Sequence, residues 1–142
     1  MNVTDLMTRK PVTIHPQSTL RLALETMEEV GCHHLPVISS EGHLVGILSD
    51  RDCRTALHSP YLLPAYWHAE PLIDSLLIRT LMTPAPIVTE PNALVREAVR
   101  LMLTNHVNCL PVMRGETLVG ILTSSDILAA FIRYWSNQLY IS

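Results

Sequence analysis

The sequence predicts an α/β (α+β) fold, a tandem pair of β-α-β-β-α repeats packed about a pseudo-twofold axis. Leu6-Met7-Thr8, Pro11, Pro16, Ala23, Met27 and Leu35-Pro36-Val37 return 75 positions later as Leu81-Met82-Thr83, Pro86, Pro91, Ala98, Met102 and Leu110-Pro111-Val112. After a one-residue deletion, Leu44-Val45-Gly46-Ile47-Leu48 and Asp52 return 74 later as Leu118-Val119-Gly120-Ile121-Leu122 and Asp126. Only two copies of so long a period are present, which indicates paired small domains rather than a solenoid. The hydrophobic pattern also switches between helical and strand spacing in the same order in each copy.

Each element has a local reason. Pro11-Val12-Thr13-Ile14 and Pro86-Ile87-Val88-Thr89 are extended, because Pro blocks helix while Val, Ile and Thr favour strand. Ser18 and Asn92 offer N-caps to the helices that follow. Leu20, Ala23, Leu24 and Met27, like Val95, Ala98, Val99 and Met102, stand at i, i+3, i+4 and i+7, the apolar stripe of an amphipathic helix. Leu35–Ile38 and Leu44–Leu48 flank a Gly-containing turn and read as a hairpin, as do Leu110–Met113 and Leu118–Leu122. Second helices follow from about Ser49 to Leu57 and from about Thr123 to Tyr134. The expected organisation is a first repeat over 1–57, a linker over 58–78, a second repeat over 79–135 and a tail over 136–142.

Composition excludes several classes. The net charge of −3, with no run of like charges, gives no basic face for nucleic acid. No stretch approaches 18 consecutive apolar residues and Met1–Asp5 has no signal-peptide core, so a cytoplasmic protein is expected, without membrane contact. Cys32, Cys53 and Cys109 lack Cys-x-x-Cys spacing and read as buried reduced thiols. His33-His34 has no recurring ligand set beside it, since Asn108-Cys109 takes its place in the second copy, so no metal is expected. Gly-x-Ser-x-Gly, phosphate-loop and His-Glu-x-x-His motifs are absent, so an enzyme is not expected. Charged residues make up only 16% of the chain, which leaves apolar surface for a partner subunit. Aromatics gather at Tyr61, Tyr66 and Trp67 and at Phe131, Tyr134, Trp135 and Tyr140, either to cover core ends or to meet another subunit.

The chemistry concentrates in Gly46-Ile47-Leu48-Ser49-Asp50-Arg51-Asp52 and Gly120-Ile121-Leu122-Thr123-Ser124-Ser125-Asp126. A buried strand ends in a hydroxyl residue, and a helix begins there with a carboxylate three positions on. A capping box accounts for that spacing. So does a nucleotide pocket: the helix N-terminus favours an anion, the carboxylate accepts from a ribose diol, and the glycine allows a ligand close to the strand.

This duplicated Ser/Thr-x-x-Asp after Gly-Ile-Leu, with Leu-Pro-Val one strand earlier and Met-Thr near each repeat's start, resembles a cystathionine-β-synthase (CBS) domain pair, or Bateman module. The resemblance implies a stand-alone regulatory module with two clefts for adenosine-containing ligands: AMP, ADP, ATP or S-adenosylmethionine. It also implies a homodimer, a separate effector protein and no required cofactor. By position, Asp52 and Asp126 would accept from ribose hydroxyls, assisted by Ser49 and Thr123. Phosphate would meet Arg51, Arg54, His33 and His34 in the first copy, making that cleft the better polyphosphate site. Val12, Ile14, Val37, Ile47, Ile87, Val112 and Ile121 would wall the base, with Thr13 and Val88 presenting backbone groups to its edge. The competing expectation is a ligand-free dimerisation or docking module.

Overall fold

A computed structural model of the chain describes residues 1–58 and 73–141, with side chains described as far as Tyr134. The aromatics Tyr61, Tyr66 and Trp67 lie outside the described residues, as do the side chains of Trp135 and Tyr140. The described elements run α1 (Val3–Leu6), β1 (Thr8–Arg9), α2 (Leu20–Val30), β2 (His34–Ile38), β3 (Leu44–Ser49) and α3 (Asp50–His58). They continue as α4 (Ile78–Leu81), β4 (Thr83–Pro84), α5 (Val95–Asn105), β5 (Cys109–Arg114), β6 (Thr117–Thr123) and α6 (Ser124–Ile141).

The chain packs as two compact units, Val12–Pro86 and Met1–Pro11 with the chain from Ile87. Each hairpin is joined by a short strand from the start of the other repeat. In the first unit the antiparallel sheet runs β2-β3-β4, with Gly46 opposite Pro84. In the second it runs β1-β6-β5, with Gly120 opposite Arg9. The helical turns follow the same exchange: Ile78 is fully buried in the first core, and Val3 in the second.

The hairpins are built alike. His34 faces Ser49 and Cys109 faces Thr123, and each register shifts once, at Val37/Ile38 and Val112/Met113. The opening segments contribute one parallel bridge each, Ile14 to Val37 and Thr89 to Val112. Ile14 N–H donates to the Pro36 carbonyl at 3.0 Å and Ile38 N–H donates to Ile14 at 2.9 Å. Pro36 therefore turns its missing N–H toward this sparsely paired edge, where a strand tolerates proline.

Two sequence expectations are corrected here. The cap of α2 is Thr19, which accepts from Leu22 N–H, and not Ser18; α5 starts after Leu94 without a side-chain cap, and not at Asn92. Bridges Thr19–Leu77 and Asn2–Leu94 hold the chain extended past Ser18 and Asn92, so each helix begins later. The repeated glycines also have a different cause from the ligand approach expected of them. A Cβ on Gly120 would lie 2.7 Å from Met7 Sδ and 2.8 Å from the Thr8 carbonyl, and one on Gly46 would collide with Met82 Sδ and the Thr83 carbonyl. The glycine admits the exchanged Met-Thr. Gly120→Ala is therefore expected to destabilise the protein by about 1–3 kcal/mol through overpacking against backbone. A urea midpoint within error of wild type would contradict this.

Candidate functional site

Each hairpin delivers a hydroxyl residue to the start of a helix. Ser49 N–H donates to Asp52 Oδ2 at 2.9 Å, and Asp52 N–H donates to Ser49 Oγ at 3.0 Å. In the second unit Thr123 N–H donates to Asp126 Oδ2 at 2.9 Å, and Asp126 N–H donates to Thr123 Oγ1 at 3.3 Å. Both are complete capping boxes, and each satisfies an otherwise orphaned donor of α3 or α6. All four residues are half-buried. A carboxylate has about four acceptor positions. Among the described residues only Oδ2 receives a hydrogen bond, and Oδ1 of either acid receives none.

His33 and Arg54 of the first unit converge on a residue that the sequence reading missed. Asp50 Oδ2 lies 3.0 Å from His33 Nδ1 and 3.5 Å from Arg54 Nη1. The i, i+4 spacing of Asp50 and Arg54 was the available signal. Arg51 is exposed. His34 is half-buried, and burial holds its pKa below the ordinary 6.5, with the Asp50 and Asp52 charges opposing and the neighbouring His33 adding to the effect. It therefore meets neutral pH uncharged. An anion at this end would find a positive guanidinium already facing a carboxylate, and a neutral imidazole. In the second unit Asn108, Ser124, Ser125 and Leu128 take the places of His33, Asp50, Arg51 and Arg54.

The sign of the His34 shift gives a stability prediction. The unfolded chain takes up a proton near pH 6.5 that the fold resists, so stability is full above that value and falls as pH drops through it toward the folded pKa. His34→Cys, which copies Cys109, is expected to lose less melting temperature than wild type between about pH 7.5 and about pH 5.5. Equal losses would contradict the assignment.

The residues expected to wall a base are not equally placed. Val12, Thr13, Ile87 and Val88 are exposed and Ile47 half-buried, whereas Ile14 and Ile121 are buried in their units. Val37 and Val112 have no exposed surface at all, because the parallel bridge and the hairpin enclose them within the cores. Cys53 and Cys109 are also buried; burial first, then nearby aspartates, pushes their thiols up to about 11 and about 12. These are inert protonated side chains. Among the described residues no group of three or more His, Cys, Asp or Glu is placed to hold a metal, and no helix is long and apolar enough to cross a membrane.

Comparison with known proteins gives matching results. The CBS domain family model matches residues 3–59 and again 78–133. A CBS domain-containing protein of Dictyostelium discoideum is 34% identical over 135 residues, covering 92% of this chain and 91% of its own length. The crystal structure of CBSX2 in complex with AMP is 31% identical with a TM-score of 0.74, covering 94% of this chain and 97% of that one. The CBS domain pair of protein MJ0100, in complex with 5′-methylthioadenosine and S-adenosyl-L-methionine, is 25% identical with a TM-score of 0.79, covering 92% and 95%.

Proposed function

This chain belongs to the CBS domain family, and from that premise we propose that it is a regulatory module for adenosine-containing ligands, with no catalysis of its own. The observation that carries the reading is duplicated: a carboxylate at a helix N-terminus, fixed through one oxygen and with the other unused by described protein donors. In the proposal, Asp52 and Asp126 each accept from the ribose diol through Oδ1. The Ser49 and Thr123 hydroxyls and the helix N-termini face the sugar and first phosphate. The base lies against the accessible aliphatic surface of Val12, Ile47 and Ile87, beside the backbone of Thr13 and Val88.

The two repeats are proposed to differ in the charge they accept. Arg51, and Arg54 once exchanged from Asp50, offer cations to a polyphosphate in the first repeat, with His33 and His34 at the same strand end. The second repeat lacks these groups and suits a less charged ligand, such as AMP or S-adenosylmethionine. A cytoplasmic homodimer that reports nucleotide status to a separate protein completes the proposal.

Calorimetric titration of the chain with AMP, ADP, ATP and S-adenosylmethionine tests it. Saturable heat from at least one is expected. Silence from all four at millimolar concentration overturns the reading. It would leave the ligand-free docking module, which the completed capping boxes favour because they give both acids a purely structural task.

A further inference from the structure

The duplication supplies an internal comparison at the helix that each capping box opens. α3 begins Asp50-Arg51-Asp52, whereas α6 begins Ser124-Ser125-Asp126. Both helices carry the capping carboxylate, and the first adds a second acid at its first helical position. That acid is held in place. Asp50 N–H donates to the His33 carbonyl at 2.9 Å, and Asp50 Oδ2 lies 3.0 Å from His33 Nδ1 and 3.5 Å from Arg54 Nη1. Ser124 N–H makes the same backbone bond, to Asn108 at 2.9 Å, without the charge. The fold therefore does not itself require a carboxylate there. Stability does not account for it either, because the His33 side chain is 75% and that of Arg54 64% exposed, and ion pairs so close to water contribute little.

We infer that Asp50 is a specificity-determining residue of the first repeat, a resident carboxylate that occupies Arg54 and His33 and lowers affinity in proportion to the ligand's negative charge. The inference deepens the nucleotide reading proposed above and rests on it. The Cα–Cβ bond of a helical residue tilts toward the helix N-terminus, so Asp50 stands at the end of α3 that otherwise favours an anion. Discrimination among ligands that share adenosine needs a repulsive element as well as an attractive one. Arg51 and Arg54 attract phosphate, and Asp50 opposes them. A unit charge about one helical turn away, roughly 6 Å, changes affinity about 3-fold at the dielectric of water and about tenfold at half that value. AMP and ATP then bind within a narrower range than the two arginines alone would give. Levelled affinities let one cleft exchange one nucleotide for the other as their ratio changes.

Calorimetry of the full chain with adenosine, AMP and ATP tests the assignment, with the other repeat silenced at its ribose acid. In an Asp126→Ala background, Asp50→Ser, which copies Ser124, is expected to tighten AMP about 3-fold and ATP about tenfold while adenosine stays within about twofold. Asp50→Asn is expected to act in the same direction. The gain for ATP should shrink to about twofold in about 1 M sodium chloride, where charges are screened within a few ångströms. In an Asp52→Ala background, the reverse change Ser124→Asp is expected to weaken AMP about 3-fold or more. Equal tightening of all three ligands, an ATP affinity unchanged or weakened by Asp50→Ser and Asp50→Asn, or a gain insensitive to salt overturns the inference alone. Silence of the unsubstituted chain toward all three overturns the nucleotide reading and this inference with it.

Discussion

Deleting residues 1–10 is expected to unfold the second repeat in preference to the first, although the segment precedes the first in the chain. Val3 is fully buried in the second repeat's core, and Leu6 and Met7 pack against it. Val3 N–H donates to Ala93 at 2.9 Å, Thr4 N–H and hydroxyl both donate to Pro91, and Val95 N–H donates to Met1 at 3.1 Å. β1 covers one edge of β6, and Met7 fills the space that Gly120 leaves. Burial of the three apolar side chains alone contributes about 5 kcal/mol, the size of a small domain's whole stability. In the truncated chain, amide hydrogen exchange should show protection lost chiefly over residues 87–134. Loss concentrated over residues 12–58 would contradict the exchange of opening segments.

The second large effect is expected at Asp126. Asp126→Ala removes the acceptor for Thr123 N–H and should cost about 1 kcal/mol of stability. If the same carboxylate grips ribose, affinity for an adenosine ligand should also fall about 10- to 100-fold, the worth of a hydrogen bond to a charged acceptor. Asp126→Asn separates the two roles, since its amide oxygen can still cap the helix but carries no charge. It is expected to melt within about 0.5 kcal/mol of wild type while still binding several-fold more weakly. Full affinity in the Asn variant, with a stability loss in the Ala variant, would assign Asp126 to capping alone. Asp52 is expected to behave in parallel in the first repeat.

Much of this architecture was legible in the sequence because it was written twice. The hairpins follow from apolar runs around a glycine turn, and the amphipathic helices from matching stripes at Leu20–Met27 and Val95–Met102. The capping boxes follow from Ser49-x-x-Asp52 and Thr123-x-x-Asp126. The exchange of opening segments was not legible: Thr8–Arg9 is too short to show a period, and its partners Ile121 and Gly120 lie in the other repeat. That also explains the misreading of Gly46 and Gly120, whose close neighbours are methionines brought in by the exchange. The burial of Val37 and Val112 likewise comes from long-range bridges to Ile14 and Thr89. Of the site's charges, the separate residues were visible, but the meeting of His33 and Arg54 on Asp50 required the turn from β3 into α3.

A comparison of AMP with its 2′-deoxy and 3′-deoxy counterparts addresses the ribose directly, without altering any protein side chain. If Oδ1 of Asp52 or Asp126 holds the diol, each deoxy ligand should bind about tenfold more weakly or worse by calorimetry on the wild-type chain. Equal affinities for all three would mean that neither acid holds the sugar.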